Sequence, residues 1–141
     1  MHRRRALIDD LKNQLLLAGH FGAGVWNTRL QPKTNSYPCV TLFAESETVT
    51  HTTMHPAPRG QLRTLNISVN AWYRGAVDIE KPETDMDAGA LLIEQTLRKP
   101  VAAADLQLTG SEYREADDDP ELFIVALSYQ ISYQATEYNP Q

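Results

Sequence analysis

The chain has one cysteine, Cys39, so no disulfide can form within it, and a reducing compartment fits. No segment approaches the roughly 18 consecutive apolar residues that a membrane-spanning helix requires. Arg3-Arg4-Arg5 followed by Ala6-Leu7-Ile8 imitates the start of a secretory leader. Asp9, Asp10 and Lys12 interrupt that run before it reaches the necessary length of about seven residues. A soluble protein with no membrane partner is therefore expected. Catalytic signatures are missing too: there is no Gly-x-Ser-x-Gly elbow, no phosphate-cradling glycine loop and no dinucleotide fingerprint. Cys39 follows Pro38 in an apolar segment, where a cysteine packs as a small inert hydrophobe. No enzyme is expected.

What the chain does contain is enough for one core. Its 141 residues, 42% hydrophobic and 22% charged, predict a single domain over 1–141 and exclude a disordered tail or a collagen-like rod. Thirteen basic against 18 acidic residues leave a net charge of −5, unsuited to a general polyanion binder or a sequence-specific nucleic-acid reader. The charge is unevenly spread: residues 1–60 hold seven basic and four acidic residues, and residues 61–141 hold six and fourteen. Acids gathered on solvated loops explain this, as does a polar subunit whose two patches meet head to tail.

Leu7, Leu11 and Leu15 recur every four residues and predict an amphipathic helix over about 3–18, ended by Gly19. Its arginines stand at the wrong end for the helix dipole, which leaves room for a contact with a partner. Short strands are expected at 25–30 and 38–44, the second with apolar residues on both faces. Residues 46–60 carry no helical period and read as a long loop or a protruding hairpin. The alternation of Leu65, Ile67, Val69, Ala71 and Tyr73 with Thr64, Asn66, Ser68, Asn70 and Trp72 marks a strand over 62–74. A helix follows at 84–98, with Thr84 as cap, Asp85 and Asp87 in its first turn, and an apolar stripe of Met86, Ala90, Ile93 and Leu97. Strands at 106–115 and 123–133 close the chain. The expected class is α+β: a mixed or antiparallel sheet of about five strands packed by two helices, in the order α-β-β-β-α-β-β.

Two clusters invite a metal. His51 and His55 stand four apart, but Pro56 and the surrounding threonines oppose a helix, and no third ligand is near; ordinary loop histidines are expected. Asp117, Asp118 and Asp119, with Glu115 and Glu121, form the densest carboxylate group. It reads as a solvated turn, as a weak divalent-cation site, or as an ion-pair partner for a neighbouring subunit's arginine; the EF-hand pattern is absent. No resident cofactor is expected.

The proline-led strand Tyr37-Pro38-Cys39-Val40-Thr41-Leu42-Phe43, the strand ending Trp72-Tyr73-Arg74-Gly75, and Ser111-Glu112-Tyr113-Arg114-Glu115-Ala116 leading to the aspartates and a Tyr- and Ile-rich closing strand have a counterpart. In these motifs and in element order the chain resembles the tail terminator family of long-tailed bacteriophages, the minor tail protein of lambda-type tails. The resemblance implies a homo-hexameric ring on the tip of the tail tube, in a virion tail assembled in the bacterial host cytoplasm. Its implied partners are the tube protein and a head-completion or connector protein. Arg29, Arg59, Arg74 and Arg114 are then expected to face the Asp117–Asp119 turn of the next subunit, with Trp72 as aromatic anchor. A different head-closure or neck protein, or a small metal-dependent enzyme, are the alternative readings.

Overall fold

The computed structural model describes residues 3–19, 21, 24–29, 37–51, 60–75, 81–100, 103, 105–116 and 119–136. Leucines four apart give helix α1 (Arg3–Ala18) one apolar stripe, and Leu7, Leu11 and Leu15 are fully buried along it. Gly19, at φ 79°, takes the left-handed position that closes the helix, and its N–H bonds the Leu16 carbonyl at 3.2 Å. Helix α2 (Lys81–Thr96) begins three residues earlier than its periodicity suggests. Pro82 stands in the first turn, where its missing N–H costs no helical bond, so Thr84 lies inside the helix and does not cap it. The two helices are tied by Gln14, whose side chain accepts from the Arg98 N–H at 2.7 Å and donates to the Arg98 carbonyl at 3.0 Å.

The strands are β1 (Val25–Asn27), β2 (Cys39–His51), β3 (Gly60–Arg74), β4 (Asp105–Ala116) and β5 (Asp119–Thr136). They form one sheet in the order β1-β2-β3-β5-β4. Only β1 and β2 run parallel; the other three pairings are antiparallel. This is the expected α+β class with the expected element order.

Several strands outrun their sequence signals. The strand expected at 38–44 continues to His51, because Ser46–His51 pair in register with Asn66–Gln61 past an irregularity between Ala44 and Ser46. Residues 46–51 are thus strand, as the hairpin alternative for 46–60 has it, and residues 52–59 lie outside the described residues. Conversely, β1 stops at Asn27, three residues short of its expected end.

Both helices cover one face. There Val40, Leu42, Leu65, Ile67, Val69, Leu127 and Ile131 meet Leu11, Leu15, Met86 and Ile93 in the main core. The period-two alternation of β3 therefore sorts its residues as the sequence predicts, Leu65 to Tyr73 facing the helices. On the opposite face a smaller cluster gathers Cys39, Trp72, Ala116, Leu122 and Ile124, with Trp26 and Tyr37 packed against it.

Candidate subunit interface

The sheet ends in two very different edges. One is β1, three residues long, with α1 beside it. The other is β4, twelve residues long and exposed at every position except Leu106 and Ala116. An edge of this length presents a row of main-chain donors and acceptors, and Leu108 and Tyr113 add exposed apolar surface along it.

At the β1 edge, Arg29 follows the strand and lies exposed. Its guanidinium sits 4.8 Å from the centre of the Phe43 ring and donates to the Ala44 carbonyl. These two contacts hold the group in place without neutralising it. Together with Arg4, Arg5, Ile8, Asn27 and Thr28, these residues line a cleft of about 490 Å³ between α1 and the sheet. Helix α1 carries no acidic residue in its first turn, so its own dipole does not favour the arginines there, and the carboxylate that Arg4 meets, Glu47 at 3.5 Å, comes from β2.

The other arginines lie elsewhere. Arg74 ends β3, 5.3 Å from the centre of the Tyr37 ring, and pairs with Glu121 of the same chain at 3.5 Å. Arg114 is exposed on β4 and, with Met86, Tyr113, Glu115 and Phe123, lines a second hollow of about 320 Å³. Register brings Arg74 opposite Leu122 and Arg114 opposite Ile124, so both arginines belong to the end of the sheet where β4 ends and β5 begins. Among the described arginines of the expected set, only Arg29 stands on the far edge. Arg59, Asp117, Asp118 and His55 lie outside the described residues, and Asp119 opens β5.

Trp72 is a correction. It is only 7% exposed, and its indole N–H donates to Thr41 Oγ1 at 2.9 Å. The ring fills the second apolar cluster and offers no surface for an anchor. Cys39 lies beside it, and burial pushes its thiol up to about 12, so it carries no thiolate at neutral pH.

One polar network is invisible to sequence patterning. Arg63 donates to Glu47 at 2.7 Å and also bonds Gln61 Oε1 at 3.0 and 3.2 Å. The Tyr133 hydroxyl donates to the second Glu47 oxygen at 3.0 Å, and Arg4 approaches that oxygen at 3.5 Å. Burial and the Glu47 bond raise the Tyr133 pKa against a smaller lowering by Arg63. The network joins β2, β3, β5 and α1 at the stem of the β2–β3 hairpin. Cross-strand register is the only signal for it, since its members are 16 and 86 residues apart.

Among the described residues no three His, Cys, Asp or Glu side chains gather to hold a metal ion, and no helix is long and apolar enough to cross a membrane. Among the described residues the arrangement sets a cleft lined by three arginines at one edge of the sheet and a long exposed strand carrying Asp105, Glu112 and Glu115 at the other.

No family model matches the chain, and no curated protein matches it. Among solved structures, the chain is similar to a chain from the virion of a native gene transfer agent particle, at 15% identity and a TM-score of 0.55. The match covers 89% of this chain and 92% of that one. Likeness at this identity establishes a common fold over nearly the full length of both.

Proposed function

We propose that this chain is a structural protein of a phage-type virion, and specifically a tail terminator. In this reading it closes into a ring on the tip of the tail tube, stops tube growth and offers the surface for head joining. The observation that carries the reading is the fold shared, nearly end to end, with a chain of a gene transfer agent virion. The tail terminator resemblance of the Tyr37–Phe43, Trp72–Gly75 and Ser111–Asp119 segments narrows it from virion component to terminator.

The physical form of the molecule agrees with such work. A ring needs a heterologous contact, in which two different patches of one subunit meet their opposites around an axis. A sheet with a basic cleft at one edge and an acidic strand at the other supplies two such patches. The protein acts by docking and makes or breaks no covalent bond.

The test is assembly. Purified protein viewed by negative-stain electron microscopy is expected to form closed rings, and adding it to polymerising tube protein is expected to arrest the tubes at shorter length. Protein that stays monomeric at high concentration and leaves tube length unchanged would overturn the reading. Binding to emptied heads with no effect on tubes would move the protein to the neck of the particle.

A further inference from the structure

We propose that the arginine cleft between α1 and the β1–β2 edge receives the acidic β4 edge of a second copy of this chain. The inference deepens the ring reading and rests on it. Three arginines, Arg4, Arg5 and Arg29, converge on one cleft in a protein whose net charge is −5. Arg4 shares Glu47 with Arg63 and still leaves 44% of its side chain in solvent. Arg29 is braced by the Phe43 ring and the Ala44 carbonyl, so little of its freedom remains to be lost on binding.

The complementary surface is at the other edge. Within β4 there are three acids, Asp105, Glu112 and Glu115, and one arginine, Arg114. Asp105, Glu112 and Glu115 are exposed on β4. Four interstrand spacings separate β1 from β4, or about 19 Å, so these acids cannot reach the cleft arginines of their own chain. A two-fold contact would set like edge against like edge, arginine on arginine or carboxylate on carboxylate. Only a head-to-tail contact pairs opposite charges, and that arrangement propagates until it closes. Duplex DNA is the competing occupant, but among the described residues the basic side chains lining the cleft are three arginines gathered around one pocket.

The experiment uses two variants of the full chain: Arg5→Glu with Arg29→Glu in the cleft, and Glu112→Arg with Glu115→Arg on the edge. All four positions are exposed, and cooperative thermal melting checks that each variant folds; the neutral Gln substitutions at the same positions serve if a reversal does not. Sedimentation velocity over a concentration series reads assembly. Each variant alone is expected to raise the half-assembly concentration roughly tenfold or more, the effect of like charges brought together. A 1:1 mixture of the two is expected to reassemble, because alternating copies restore every charge pair. Wild-type protein that assembles while both variants assemble equally well, or a mixture that does not recover, overturns the cleft contact and leaves the ring reading standing. Wild-type protein that never assembles removes both. Variants that assemble normally while the cleft variant loses a duplex-DNA gel shift overturn the proposal in favour of nucleic acid.

Discussion

Replacing Arg63 by methionine is expected to destabilise the fold by about 3 kcal/mol. Arg63 and Glu47 are 2.7 Å apart with side chains only 13% and 11% exposed. Breaking a buried pair typically costs about 3–5 kcal/mol, because the remaining charge keeps its desolvation penalty without its partner. Here Glu47 would retain the Tyr133 hydroxyl at 3.0 Å and the half-exposed Arg4 at 3.5 Å, which sets the loss at the lower end. For a domain of this size the melting temperature should fall by roughly 10 °C. Urea unfolding followed by circular dichroism measures the loss directly, with an unchanged slope expected. The double variant Arg63→Met, Glu47→Leu removes both charges together and should recover about half of the stability, because no uncompensated charge remains. A single variant that loses less than about 1 kcal/mol would mean that water screens the network. A double variant as unstable as the sum of its parts would mean that the two residues do not act as a pair.

Gly89→Ala offers a second check, since alanine favours a helix by about 1 kcal/mol. A Cβ there would stand 1.9 Å from the buried Tyr73 hydroxyl, so a net loss of about 1–2 kcal/mol is expected from chemical denaturation. The Tyr129 hydroxyl is buried with no hydrogen-bond partner among the described residues, so Tyr129→Phe should be neutral or raise stability by about 1 kcal/mol. Cys39 should ignore an aromatic disulfide reagent in the folded state and react on unfolding; rapid labelling of native protein would contradict its burial. Burial also raises the Tyr129 pKa, with Glu94 adding to the shift, so Tyr129 and Cys39 both titrate near 12 in place of their ordinary 10.0 and 9.0. The unfolded chain releases these protons first. Stability from them is full below about pH 9 and should decline as pH climbs toward 12, read as a falling urea midpoint.

The reach of the sequence is clearest along β3. Alternation of Leu65, Ile67, Val69, Ala71 and Tyr73 with polar neighbours determined which residues face the helices, because a strand turns successive side chains to opposite faces. The leucine spacing of α1 did the same for its buried stripe. These are local regularities and need no partner to be read. Trp72 marks where they end: its side of the strand followed from alternation, but the cover over that side is built by Cys39, Leu122 and Ile124 from other strands.

The candidate site was legible as charge and not as place. Composition separated a basic first portion from an acidic remainder, and the arginines of α1 stood out as costly for their own helix. Strand order alone decided that Arg29 and the β4 carboxylates occupy opposite edges, while Arg74 and Arg114 sit where β4 ends and β5 begins. The Glu47–Arg63–Tyr133 network likewise exists only once three strands are in register. Short-range periodicity is set by backbone geometry within a few residues, whereas edges and cross-strand pairs are set by contacts between segments far apart in the chain. The sequence by itself therefore determined the faces of the elements, and the tertiary structure decided their neighbours and which charged residues stand at which edge of the sheet.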